Sequence, residues 1–198
     1  MSTLFSEAIK LKDGVLHNLE YHRLRVSRTL RQFGGGTVDL AMLERMIPAD
    51  ANRGLFKCRV VYGDRIEGVE FTPYDFRSVK KVRLVEDNDM EYGYKYADRS
   101  RLDGLLAGSA CDDIIIVKNG LVTDSFAANL VFRSPSGLYT PASCLLRGTK
   151  RQCLLDRGVI REKEIRVEDI RTYDRVFFIN AMTDLEDDVS VPTDSILL

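Results

Sequence analysis

Hydrophobic positions recur along the chain at two spacings, and each spacing predicts a different element. Residues 5–18 alternate weakly and break at Asp13-Gly14, which predicts a short hairpin. Leu19, His22, Val26, Leu30 and Phe33 then recur every three or four residues, the spacing of one helix face, and Gly34-Gly35-Gly36 ends that run. Asp39 to Met46 reads as a second helix, stopped near Pro48. FKCRVVYG and RIEGVEFTPY read as strands joined at Gly63-Asp64, and VKKVRLVED as another strand.

After Tyr94 the texture changes. Arg99 to Ala107 predicts a helix, and the run from Asp112 to Pro141 predicts a meander of strands turning at Asn119-Gly120 and Ser136-Gly137. A further helix follows Gly148-Thr149 and closes at Gly158, and apolar strands are expected at 160–167 and 176–180. No repeat of 20–50 residues stands out. The pattern describes an N-terminal α+β lobe over 1–85 and a second lobe over 86–198, meeting within residues 78–94.

Composition narrows the partners more than the fold. The chain has 198 residues, 44% hydrophobic and 30% charged, enough to bury a core. Its 29 basic and 30 acidic side chains give a net charge of -1, so no general attraction to nucleic acid or anionic membranes is expected. No apolar run is long enough to span a bilayer. The opening MSTLFSEAIKLKDG lacks a basic start and apolar stretch, so a cytoplasmic protein is expected. Cys58, Cys111, Cys144 and Cys153 are far apart and have only His17 and His22 to assist, so reduced thiols and no metal are expected.

Several residues carry chemistry. Lys95 lies in YGYKYADR among Tyr92, Tyr94 and Tyr96, where partial desolvation would favour a nucleophilic amine. A solvated strand-end lysine would satisfy the same pattern. Asp124, in NGLVTDSFAANLVF, could face a cationic ring nitrogen or simply cap a turn, with Asn129 on the next strand in support. Gly148, Thr149, Lys150 and Arg151 open a helix whose first N–H groups suit a phosphate, although many helix starts read this way. Arg25 could be a bidentate phosphate partner or a surface residue of its helix. Arg59, in KCRVVY, could hold a substrate carboxylate or face solvent.

The order of these segments is more specific than any one of them. FSEAIKLKDG, YHRLRVSRT, KYADR, VTDSFAANLVF, LLRGTKR and FINAMTDLEDDVSV follow one another as do the motifs of the class IV aminotransferases, and the chain resembles that family of fold-type IV pyridoxal-phosphate enzymes over nearly its whole length. The resemblance implies an α+β fold of two lobes, a small N-terminal α/β sandwich and a C-terminal β-rich pseudo-barrel with helices, with pyridoxal 5'-phosphate between them. It implies Lys95 as the Schiff-base lysine, Asp124 in place of the usual Glu at the pyridine nitrogen, and Arg25 at the phosphate. Leu146 matches a leucine on the ring face, Gly148 to Lys150 the phosphate cradle, and Asn180 with Ala181 the segment closing its other side. Lys150 stands where a Thr is usual, and Asp98 where Asn is commoner.

K-x-x-[ND]-R is closer to the lyase-like branch, so the resemblance points to 4-amino-4-deoxychorismate lyase chemistry on a small amino substrate. An amino-acid transaminase of the same fold and a catalytically silent relative are the alternatives. A homodimer is also implied.

Overall fold

The computed structural model describes residues 3–198; Met1 and Ser2, which begin the opening segment and the 1–85 lobe, lie outside the described residues. The chain divides into two compact units. One runs to Asp75 and takes up Tyr94–Asp98, and the other comprises Phe76–Gly93 and Arg99–Leu198. The chain therefore changes unit at 75/76, at 93/94 and at 98/99.

In the first unit, β1 (Phe5–Lys12) and β2 (Val15–Leu16) form the expected hairpin, with Asp13 and Gly14 both at positive φ in its turn. β3 (Leu55–Tyr62) and β4 (Ile66–Pro73) complete an antiparallel sheet in the order β2-β1-β3-β4. Helix α1 (Leu19–Phe33) ends at Gly34 in the left-handed region, as the glycine run predicts. Val26 and Leu30 of α1 pack with Phe5, Ile9, Cys58, Val60 and Tyr62, so one face of the sheet is the core face. The segment expected as a helix at Asp39–Met46 is instead a 3-10 helix, Leu40–Met46, capped by Asp39 through Ala41 N. Seven residues between a capping Asp and the break at Pro48 leave little length for α-helical propagation.

The second unit is built on a curled eight-stranded sheet. β5 (Val82–Glu86) pairs in parallel with β6 (Asp113–Lys118), and a parallel pair requires a long crossover. That crossover contains residues 94–98 and helix α2 (Ser100–Ser109). β6 is buried on both faces: Ile115 belongs to one apolar cluster, Ile114 and Ile116 to another. β7 (Leu121–Ser125), β8 (Asn129–Ser134) and β9 (Gly137–Pro141) form the expected meander.

The described pairing of β8 with β7 is Asp124 opposite Asn129, after which β8 runs along β9. Its other edge takes β11 (Arg175–Ile179), which carries the short β12 (Ser190–Pro192). Helix α3 (Thr149–Asp156) lies between β9 and β10 (Arg161–Lys163). The strand expected over 160–167 is thus reduced to three exposed residues, and Val167 opens a 3-10 helix. No helix among the described residues is long and apolar enough to cross a membrane.

Candidate active site

In the first unit, Lys95 lies in a short segment laid along the start of β1. Ser6 N donates to Lys95 O at 2.8 Å, Ala97 N donates to Leu4 O at 2.8 Å, and Tyr96 bridges Phe5. The Tyr96 ring lies 5.4 Å from that of Phe5, and Tyr94 meets Phe33 edge-on at 5.0 Å, so both tyrosines sit on the α1 side. Tyr96 N also donates to Tyr94 O at 2.9 Å, so the chain makes a tight turn centred on Lys95. Lys95 itself is half-buried, in keeping with partial desolvation.

Behind that segment lies a group of charges that single motifs do not reveal. Glu7, on the α1 side of β1, is 0% exposed. Arg25 donates from Nε to Glu7 Oε1 at 2.9 Å and from Nη2 to Oε2, while His22 Nδ1 lies 2.5 Å from Oε2. His22 and Arg25 are three apart on α1, hence on one face, and both are buried. Burial alone would raise the Glu7 carboxyl. The Arg25 charge, with the His22 contact, outweighs burial and holds it at about 2.

His22 is pushed below its ordinary value, first by burial, and further by Arg25 and Lys95, against the opposing pull of Glu7. It is therefore neutral at pH 7, its Nδ1 proton directed at Glu7. Tyr62 is also fully buried here. Burial, then the Glu7 charge, raises its hydroxyl to about 12. Arg59 stands on β3 opposite Ala8 and Glu70, and is exposed. It lies on the face away from α1, since Cys58 and Val60 enter the core on either side of it.

In the second unit, Asp124 is held by both carboxylate oxygens. Asn129 Nδ2 donates to Oδ1 at 2.7 Å, and Leu146 N donates to Oδ2 at 2.8 Å. Asn129 Nδ2 also donates to Leu146 O at 2.8 Å, so one amide ties β8 to the loop before α3. Asp124 is 6% exposed, and burial raises its carboxyl to about 6 despite the two hydrogen bonds and the Arg151 charge. Leu146 is buried beside it.

Gly148 is the N-cap of α3 and offers no side-chain cap. A β-carbon there would fall 2.0 Å from Asn129 Oδ1, so only glycine fits this approach without a shift. Thr149 is buried. Lys150 makes an ion pair with Asp184. Arg151 turns away and is 1% exposed, donating to Thr140 Oγ1, Pro141 O and Glu162.

Asn180 uses its side chain on backbone: Oδ1 accepts from Met182 N and Thr183 N, and Nδ2 donates to Ala127 O at 3.2 Å. It shapes the half-buried turn that carries Ala181. Sequence reasoning passed over Glu7, His22 and Asp184. The spacing of His22 and Arg25 was the available signal for the first pair, since two polar residues on a core-facing helix stripe require a buried partner.

A family model described as amino-transferase class IV matches residues 96–185. An uncharacterised protein of Haemophilus influenzae is 37% identical over 183 residues, covering 90% of this chain and 97% of the relative. A crystal structure of a provisionally assigned 4-amino-4-deoxychorismate lyase of Haemophilus somnus superposes with a TM-score of 0.86 at 31% identity, covering 92% of this chain and 97% of that one. A hypothetical aminotransferase of Mycobacterium tuberculosis, in its PLP-bound form, has a TM-score of 0.79 at 17% identity, covering 98% and 81% of the two chains, and shares the fold.

Proposed function

The chain belongs to the class IV aminotransferase family, and from that premise we propose that it is a pyridoxal-phosphate-dependent lyase that converts 4-amino-4-deoxychorismate into 4-aminobenzoate and pyruvate. The observation that carries the cofactor reading is Asp124, a buried carboxylate oriented at both oxygens and raised to about 6 by burial. Such a group gains from a cation set against it, and a protonated pyridine nitrogen is such a cation. The start of α3 adds to the fit, because no side chain caps its first N–H groups, and such groups suit a phosphate. The lyase preference rests on the provisional assignment of the Haemophilus somnus relative and on the Lys95-x-x-Asp98-Arg99 pattern.

In this reading, Arg25 and the N–H groups that open α3 would hold the phosphate, and Leu146 would pack on the ring. Lys95 Nζ would hold the cofactor's aldehyde group. The cofactor, when bound, supplies a protonated ring that withdraws electrons from the carbon bearing the substrate amine. Asp124 stays ionised and keeps the ring nitrogen protonated. Lys95 Nζ would act as the base that removes the proton from that carbon. The electron pair completes the aromatic ring as the enolpyruvyl C–O bond breaks, and the departing enolpyruvate takes up a proton to become pyruvate. Substrate and products balance without water or a co-reactant. Arg59, on the sheet face away from α1, is assigned to a substrate carboxylate.

The test is release of pyruvate from 4-amino-4-deoxychorismate by purified protein with no keto acid added. Pyruvate release that Lys95→Ala abolishes supports the lyase. A strict requirement for a keto acid makes the protein a transaminase instead, and absence of any cofactor absorption band overturns the enzyme reading.

A further inference from the structure

We propose that Glu7 and His22 are positioning residues that fix the guanidinium of Arg25 for a phosphate, an inference that rests on the assignment of Arg25 to the cofactor phosphate. Three buried ionisable side chains are a poor way to stabilise a core. Apolar side chains of similar volume commonly do as well or better, because each charge must be stripped of water. Their arrangement is instead what a preorganised anion receptor requires.

A guanidinium presents two edges, one bearing Nε and Nη2 and the other both terminal nitrogens. Glu7 takes the first edge, through Nε at 2.9 Å and through Nη2. The carboxylate thereby sets the direction of the terminal end before any anion arrives. The long Arg side chain is immobilised in advance, so binding does not bear that ordering cost. The Thr29 hydroxyl, donating to Arg25 O at 3.0 Å, adds a brace one turn further along α1.

His22 has a separate part. A bare carboxylate on Arg25 would neutralise the charge that should attract the phosphate. His22 Nδ1, at 2.5 Å from Glu7 Oε2, draws on the same carboxylate oxygen as Arg25 Nη2. Sharing that oxygen leaves more of the Arg25 charge available to an anion at its other end. Glu7 thus sets direction, and His22 sets how strongly Arg25 is engaged.

The test compares binding of pyridoxal phosphate and of pyridoxal, which lacks the phosphate, to full-length protein freed of cofactor. Absorbance titration gives both affinities, and thermal unfolding verifies the fold of each variant. Glu7→Gln should weaken pyridoxal phosphate roughly tenfold to hundredfold, the range of a lost charge-assisted hydrogen bond, while pyridoxal binds as to the parent. His22→Ala should weaken it less, in the same phosphate-selective way. His22→Asn, which keeps an amide N–H near the place of Nδ1, should restore it.

Equal weakening of both ligands, or of neither, overturns the positioning role while leaving the cofactor reading intact. If Glu7→Gln does not fold, the His22 pair decides by the same comparison: no phosphate-selective loss in His22→Ala, or no recovery in His22→Asn, overturns it. A parent protein that binds neither ligand overturns this inference together with the proposed function.

Discussion

Asn129 reaches Asp124 only because residue 148 has no side chain. A β-carbon at Gly148 would lie 2.0 Å from Asn129 Oδ1, and the same Asn129 amide donates to Asp124 Oδ1 at 2.7 Å. The Gly148 backbone, at φ -68° and ψ 148°, is open to any residue, so the constraint is purely one of contact. Gly148→Ala is therefore expected to push Asn129 aside and lower stability by about 1–3 kcal/mol, the usual cost of overpacking. Chemical denaturation checks the stability, and cofactor titration should show weaker binding in the same variant.

Removing the amide itself acts from the other side. Asn129→Ala leaves Asp124 Oδ1 and Leu146 O, both buried, without the donor they share. The expected loss is about 1–3 kcal/mol, measured by urea unfolding. Asn129→Asp should be worse than Ala, because it sets a second carboxylate against Asp124 in a buried site.

Two buried carboxylates should give the cofactor-free protein opposite pH slopes. Asp124 rises from 3.8 to about 6, so between those values the folded state binds more protons than the unfolded one. Stability then falls as pH rises through that window, by about 3 kcal/mol at most. Asp124→Asn should flatten this limb. Glu7 falls from 4.5 to about 2, so its contribution is complete above 4.5 and is lost as pH drops toward 2. Glu7→Gln should remove that acid limb. Unfolding free energies between pH 2 and 7 test both, and unchanged slopes in either variant contradict the assignment of that limb.

Arg151 is a structural counterpart beside the site. It is fully buried and donates to Pro141 O at 3.0 Å and to Glu162 at 2.6 Å, fastening α3 to β9 and β10. Arg151→Ala should cost about 1–3 kcal/mol, as expected when the buried acceptors Thr140 Oγ1 and Pro141 O lose their donor. Arg151→Lys should recover only part of this, since one ammonium cannot span the same acceptors. Thermal unfolding of the two variants measures the difference.

The helix at Leu19–Phe33 and the strands around it were legible because each carries its own period and its own stop: a three-to-four spacing closed by glycines, or alternation closed by an Asp-Gly or Asn-Gly turn. Asp39–Met46 carried the right residues for an α-helix, but its length decided for 3-10 geometry, and length effects are not visible in a periodic pattern. β12 escaped notice because three residues make no period; it exists as an addition to β11. Lys95, Asp124 and Gly148 could be named because ordered motifs pointed to them. Glu7 could not, since what buries it is Arg25 and His22, eighteen and fifteen residues away, and β1 reads as an ordinary strand with scattered polar positions. Lys150 was legible as a departure, yet its engagement with Asp184 depends on a turn that only the fold supplies.

The backbone of Lys95 borrows its address from β1, through Ser6 N and the Phe5–Tyr96 bridge. Tyr96 N closes a three-residue turn on Tyr94 O at 2.9 Å, so sliding the segment by one residue against β1 would move both the turn and the amine at its centre. A change in the number of residues between Tyr94 and Ala97 is therefore expected to displace the Lys95 amine further than any substitution of its neighbours would.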